Sequence, residues 1–148
     1  GDDVEGEARE AAEQMAAMLR SDAAGPDKLA FLSGGEVTVT FNNTAGSHYG
    51  GPNREFALAL ARRIPPHARV TALVADTDGV DGQSGANGPV AGAYVDEYTV
   101  RRAREQQLDP DAFLQRHDSG TFFERLGDEV ITGPTNTNVN DLRMLLVN

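Results

Sequence analysis

Apolar and polar side chains follow two different periods along this chain, which predict a mixture of helices and strands. Over residues 3–20 the apolar positions fall three or four apart, as on one helix face, at Val4, Ala8, Ala11, Ala12, Met15, Met18 and Leu19. From residue 29 the run LAFLSGGEVTVTF predicts a strand, a turn at Gly34 and Gly35, and a second strand in which apolar residues alternate with threonines.

The stretch GGPNREFALALARRI predicts the clearest helix, because Phe56, Leu60 and Ile64 form one apolar stripe that ends at two prolines. The β-branched run ARVTALVAD then predicts a buried strand that ends at Asp76. Short helices after Asp109 and strands at EVITG and DLRMLLV complete the pattern.

Strands and helices alternate along the chain, which favours an α/β fold. We expect a three-layer α/β/α domain with a mixed, mostly parallel sheet, antiparallel where two strands meet around Gly34 and Gly35. In open α/β sheets, ligands bind in the crevice beyond the strand ends. Polar loops follow three predicted strands here, after Leu32, Ala75 and Thr132, so these loops form the candidate binding region.

Composition narrows the range of partners. The 148 residues fit one domain, and their formal net charge of −10 argues against binding to nucleic acid or to an anionic membrane surface. No cysteine is present, which excludes a disulfide framework and a thiolate metal site, and we expect a cytoplasmic protein. The three histidines lack metal-ligand spacing and are expected at the surface.

Three loops carry side chains suited to ligand binding, although each also has a purely structural explanation. SGGE offers backbone N–H groups to an oxyanion, or forms a tight turn. DTDGVDG offers carboxylates to Mg²⁺, or forms Asp-Gly turns. PTNTNVN offers amides and hydroxyls to a polar substrate, or supplies the left-handed backbone that asparagine tolerates. The candidate phosphate and substrate ligands are Ser33, Gly34, Gly35, Glu36, Thr135, Asn136, Asn138 and Asn140. The candidate metal ligands are Asp76, Asp78 and Asp81.

Arg54 lies in the first turn of the clearest predicted helix, where the helix dipole disfavours a cation. A nearby anion would remove this conflict. Gly50 and Gly51 leave room for a ligand, and the helix N-terminus offers free N–H groups of the kind that bind phosphate. We therefore predict Arg54 as a catalytic cation, with Gly51 and Asn53 as phosphate or substrate ligands. A solvated Arg54 that pairs with Glu55 or with another nearby acid is the alternative that involves no ligand.

Four segments, in this order, resemble the MOFRL domain. They are SGGEVTVTF, GGPNREFALALA, DTDGVDGQSGANGPVAG and HDSGTFFERLGDEVITGPTNTNVNDLRMLLV. That domain is the C-terminal half of glycerate kinases of the tartrate-utilisation type, once named hydroxypyruvate reductases. The resemblance covers residues 29–148 and implies that residues 1–28 are a helix and linker from a preceding domain.

The resemblance implies an enzyme that transfers a phosphoryl group from ATP to D-glycerate with Mg²⁺, giving 2-phosphoglycerate. Its active site would lie between this domain and an N-terminal domain, with a lysine from that domain and an arginine from this one. The family wording is GGRNQE, whereas here Pro52 holds the arginine position and Arg54 the glutamine position. We hypothesise that Arg54 reaches the same anion.

Two alternatives to the kinase remain. One is an NAD(P)H-dependent hydroxypyruvate reductase domain, which is disfavoured because no GxGxxG follows a predicted strand. The other is a stand-alone, non-catalytic ligand-binding domain.

Overall fold

A computed structural model describes residues 3–22, 28–41, 48–83 and 88–148. The helices are α1 (Ala8–Asp22), α2 (Pro52–Ala61), α3 (Thr99–Glu105), α4 (Pro110–Gln115) and α5 (Ser119–Leu126). The strands are β1 (Gly6–Glu7), β2 (Leu29–Ser33), β3 (Val37–Thr38), β4 (Val70–Asp76), β5 (Gly92–Asp96), β6 (Glu129–Val130) and β7 (Asp141–Val147). None of the helices in these ranges is both long and apolar enough to cross a membrane.

Five strands form one sheet in the order β2-β7-β4-β5-β6, and each neighbouring pair in it is antiparallel. Among the described residues, parallel pairing occurs only between the two-residue strands β1 and β3. The prediction of a mostly parallel sheet was therefore wrong. An alternation of strands and helices gives their order along the chain but not the direction in which each strand runs.

The antiparallel pair expected around Gly34 and Gly35 was also wrong. The strand before this turn, β2, pairs with the last strand, β7, whereas the strand after it, β3, pairs with β1. Gly35 has a φ of 101°, a conformation that glycine adopts without strain. The turn therefore leads the chain from the large sheet to the small one.

The core lies between the helices and one face of the large sheet. Val70, Ala72 and Val74 of β4 are buried on this face, and α2 packs across β4 and β5. Buried side chains from all five helices belong to this single core, so the described part of the chain has two layers where three were predicted. α1 packs on α2 within the same core, which makes the N-terminal helix an integral part of the described fold.

Candidate functional site

Three of the predicted binding loops meet at one end of the large sheet. β2 ends at Ser33, β4 ends at Asp76, and β7 begins between them at Asp141. In the strand register, Ser33 pairs with Arg143 and Asp76 pairs with Asp141. Because PTNTNVN leads directly into β7, the register places this loop beside both SGGE and DTDG. These three loops therefore meet beyond the strand ends, although the strands run antiparallel.

Asp141, the first residue of β7, links the SGGE turn to α2. Its Oδ2 accepts a hydrogen bond from the Val37 backbone N–H at 3.0 Å, and its Oδ1 accepts one from Asn53 Nδ2 at 2.6 Å. Its own N–H donates to the Gly35 carbonyl at 3.0 Å, and Arg143 is its ion-pair partner. An aspartate at the start of a strand suggests a local ion pair with Arg143, but it gives no local sign of the distant contacts, so no site role was predicted for Asp141.

The N-terminus of α2 is capped by a residue from another loop. Gly51 is the N-cap residue and Pro52 opens the helix, so no side chain at the cap position itself can accept a bond. Instead, the Asp81 carboxylate accepts hydrogen bonds from the backbone N–H groups of Asn53 at 2.8 Å and Arg54 at 3.0 Å. A Cβ atom at Gly51 would lie 2.4 Å from the Asp81 carboxyl carbon. The glycine therefore makes room for Asp81.

Asp81 is also the anion that the sequence analysis expected beside Arg54. The Arg54 side chain is fully buried, and its Nε lies 3.0 Å from Asp81 Oδ2. Its Nη2 donates to the Gln83 carbonyl at 2.8 Å, and its Nη1 lies 3.6 Å from Glu129 Oε1. Burial raises the pKa of Asp81, and the Arg54 charge and the two helix N–H donors oppose that shift. The negative charge of Asp81 thus offsets the unfavourable position of the Arg54 cation at the N-terminus of α2, and no ligand is needed for this.

Glu55, the alternative partner for Arg54, belongs to a different, partly buried cluster. Its Oε1 accepts a hydrogen bond from Arg9 Nε at 2.6 Å and lies 3.0 Å from His117 Nδ1. Only 12% of the His117 side chain is exposed, so the prediction of a surface position was wrong for this histidine. Arg9 comes from α1, and the cluster therefore ties the N-terminal helix to α2.

Asp76 and Asp78 lie together at the end of β4. The Asp78 N–H donates to Asp76 Oδ1 at 3.0 Å, and Asn138 Nδ2 donates to Asp78 Oδ2 at 3.2 Å. Burial raises the pKa of Asp76 to about 6, and the negative charges of Asp78 and Asp141 add to the shift. This end of the sheet is therefore a place where added positive charge would be favourable.

The three aspartates predicted as metal ligands do not come together as one group. Asp81 is paired with Arg54, whereas Asp76 and Asp78 lie at the sheet end. Within the described ranges, no group of three or more His, Cys, Asp or Glu side chains is placed to hold a metal ion. Mg²⁺ in phosphate-transfer sites, however, is held by one or two carboxylates together with substrate phosphates and water. Asp76 and Asp78 fit that ligand set.

The SGGE turn lies against β7. The Gly34 carbonyl accepts a hydrogen bond from Arg143 Nη1 at 2.8 Å. The Ser33 Oγ is buried and has no hydrogen-bond partner among the described residues, whereas Glu36 is exposed. The backbone of this turn is thus fixed by Arg143, and its binding role stays a prediction.

The PTNTNVN loop presents its polar side chains to solvent at the same end. Thr135, Asn136, Asn138 and Asn140 are all exposed. Asn136 and Asn140 have φ values of 59° and 63°, and Asn138 Oδ1 accepts the Asn140 N–H at 3.0 Å. The positive φ values confirm that asparagines shape this turn, and the exposed amides of Asn136 and Asn140 leave its binding role a prediction.

Comparison with known proteins finds a matching family model and several related sequences. The MOFRL family model matches residues 29–141. A "Putative hydroxypyruvate reductase" of Agrobacterium vitis is 42% identical over 99% of this chain and 33% of its own length. A glycerate 2-kinase of Pyrococcus horikoshii is 40% identical over 77% of this chain and 24% of its own length. A D-glycerate 2-kinase of Thermotoga maritima is 35% identical over 95% of this chain and 33% of its own length.

Solved structures agree with the sequence relatives. The crystal structure of a Thermotoga maritima glycerate kinase superposes with a TM-score of 0.87 and 33% identity, over 99% of this chain and 35% of that protein. A crystal structure from Pyrococcus horikoshii gives the same TM-score and identity, over 99% of this chain and 33% of that protein. The chain thus spans about a third of the length of these relatives.

Proposed function

Because the chain belongs to the MOFRL family, we propose that it is the C-terminal domain of an ATP-dependent glycerate kinase that converts D-glycerate to 2-phosphoglycerate. The observation that carries this proposal is the meeting of the SGGE, DTDG and PTNTNVN loops at one sheet end, joined to α2 through Asp141. These loops contain the polar groups that a small hydroxy acid and a nucleotide phosphate require.

Phosphoryl transfer depends mainly on positioning and on charge around the phosphate oxygens. In our proposal, the exposed amides and hydroxyls of Thr135, Asn136 and Asn140 bind the hydroxyl and carboxylate groups of D-glycerate. Asp76 and Asp78 would hold Mg²⁺, and the bound ion would supply positive charge against the phosphate oxygens of the nucleotide. Asn138 keeps Asp78 in place through its amide.

Arg54 has a positioning role in this proposal, in place of the direct anion contact that the sequence suggested. Its guanidinium is buried and paired with Asp81, which fixes the start of α2 and hence Asn53. Asn53 in turn donates to Asp141 at the sheet end. Arg54 therefore acts through the chain Asp81–Asn53–Asp141 and does not touch substrate.

The charges at the sheet end that bears the candidate site support a site that another domain completes. Arg54 and Arg143 are both fully buried, and each is paired with an aspartate. The half-buried carboxylates of Asp76 and Asp78 and the exposed amides of the PTNTNVN loop remain at this end without a neighbouring arginine pair in the described loops. The cation that phosphate transfer needs would come from the N-terminal domain, as the family resemblance implies, so the isolated chain should be inactive.

A coupled assay of ADP release tests this function. We expect D-glycerate-dependent ADP release from the full-length polypeptide and none from the 148-residue chain. Hydroxypyruvate with NADH or NADPH serves as the comparison, because cofactor oxidation without ADP release would identify a reductase. If the full-length polypeptide catalyses neither reaction, the kinase proposal is wrong and the binding-domain alternative gains support.

A further inference from the structure

The face of the large sheet that lies opposite α2 carries apolar side chains. Leu142, Met144 and Leu146 alternate along β7 on this face, since Arg143, Leu145 and Val147 are buried on the other. In the strand register, Met144 lies opposite Leu73 of β4, and Leu73 lies opposite Tyr94 of β5. Leu146 is 41% exposed and Tyr94 is 48% exposed. We call these five residues — Leu73, Tyr94, Leu142, Met144 and Leu146 — the open sheet face.

Such a face is unusual for a sheet surface in contact with water. An antiparallel sheet with one solvated face normally alternates apolar and polar residues, with the polar set outside. In β7 the residues outside are leucine and methionine, whereas the buried face carries Asp141 and Arg143 as well as Leu145 and Val147. Contiguous apolar patches on soluble domains mark sites of protein association. The open sheet face therefore has the composition of an interface.

The open sheet face continues to the candidate site. A groove lined by Ser33, Thr77, Val139, Asp141 and Leu142 connects them. Val139, in the PTNTNVN loop, is 71% exposed and places an apolar side chain beside polar residues that are proposed to bind substrate. A second domain that covers the candidate site would therefore also contact the open sheet face.

We propose that the open sheet face is the docking surface for the N-terminal part of the same polypeptide. The inference rests on the proposed function, in which that part forms the second wall of the active site. The chain spans about a third of the relatives' length, which leaves a body large enough to cover the sheet. A second copy of this chain is the weaker occupant, because two domains of net charge −10 repel each other.

Cysteine labelling tests this surface directly, because the chain contains no cysteine of its own. Leu146→Cys and Tyr94→Cys place a thiol on the open sheet face, and Arg101→Cys on α3 is the control, since that side chain is 66% exposed. Each variant is made in the 148-residue chain and in the full-length polypeptide, and its thermal midpoint verifies folding. Iodoacetamide modification is followed by mass spectrometry of the labelled peptide, and ADP release is measured in the same full-length samples.

We expect both face positions to react freely in the 148-residue chain and at least about tenfold more slowly in the full-length polypeptide, a factor that corresponds to about 1.4 kcal/mol. The Arg101→Cys rate should be the same in both. Equal rates at the face positions in both polypeptides would overturn the docking surface, and continued D-glycerate-dependent ADP release would show that the proposed function survives. Protection that rises with concentration in the 148-residue chain alone would overturn it in favour of a second copy. Protection without kinase activity would support docking and contradict the proposed function.

Discussion

Asp81→Ala is expected to be highly destabilising, because Asp81 both pairs with a buried arginine and caps a helix. The substitution leaves the buried Arg54 guanidinium with only the more distant carboxylate of Glu129, 3.6 Å from Nη1, and breaking a buried ion pair costs about 3–5 kcal/mol. It also removes the acceptor for two backbone N–H groups of α2, and the loss of a helix cap costs about 1 kcal/mol. Because the two losses overlap at one carboxylate, we expect a total of about 3–5 kcal/mol.

Urea denaturation of the 148-residue chain, followed by circular dichroism, measures this loss. In thermal unfolding the same loss would lower Tm by about 2–4 °C per kcal/mol for a domain of this size. Glu13→Ala is the control, because it breaks the exposed pair between Glu13 and Arg63, which is worth about 1 kcal/mol or less.

A double variant separates the buried charge from the helix cap. Adding Arg54→Met to Asp81→Ala removes the cation whose closest partner is lost, but it also removes the ion-pair partner of Glu129, so we expect the double variant to regain about 1 kcal/mol relative to Asp81→Ala alone. If Asp81→Ala lowers the free energy of unfolding by no more than Glu13→Ala does, the buried pair does not stabilise the fold as described. If the double variant regains nothing, the Arg54 charge contributes nothing to the loss.

Two further substitutions test the surroundings of the site. Gly51→Ala would place a Cβ 2.4 Å from the Asp81 carboxyl carbon, so we expect a loss of about 1–3 kcal/mol in urea denaturation, and unchanged stability would contradict the contact. Burial raises the pKa of Asp76 from 3.8 in the unfolded chain to about 6 in the folded one. The free energy of unfolding is therefore higher below about pH 3.8, where Asp76 is neutral in both states, and it falls as pH rises through about 6. Asp76→Asn should therefore raise Tm relative to the unsubstituted chain at about pH 8 but not at about pH 4, and equal differences at both would contradict the shift.

The local periodicity of apolar residues was sufficient to predict α2 and β4. The stripe of Phe56 and Leu60 lies in α2, and ARVTALVAD contains β4. The direction of the strands could not be predicted in this way. β7 is the last strand in sequence but lies between β2 and β4, and no local pattern records which neighbour a strand will choose.

The sequence also indicated that Arg54 needs an anion, but it could not identify the partner. The argument from the helix dipole holds for any nearby negative charge, whether it belongs to a ligand or to the chain. Asp81 lies 27 residues away along the sequence and reaches Arg54 only through the fold. The loops rich in Gly, Asp and Asn, by contrast, were recognisable from composition, because those residue types mark exposed turns at strand ends.

In our proposal, the end of the sheet that bears Asp76, Asp78 and the PTNTNVN loop is one wall of a glycerate kinase active site. The most direct test is kcat/KM for D-glycerate, measured on the full-length polypeptide by ADP release for Asp78→Asn and for Asp111→Asn. Asp111 is the matched control, because it is an exposed aspartate on α4 that pairs with Arg62. We predict that Asp78→Asn lowers kcat/KM by at least about tenfold, equivalent to about 1.4 kcal/mol of transition-state stabilisation, while Asp111→Asn leaves it unchanged. An Asp78→Asn enzyme with the kcat/KM of the unsubstituted protein would contradict the account.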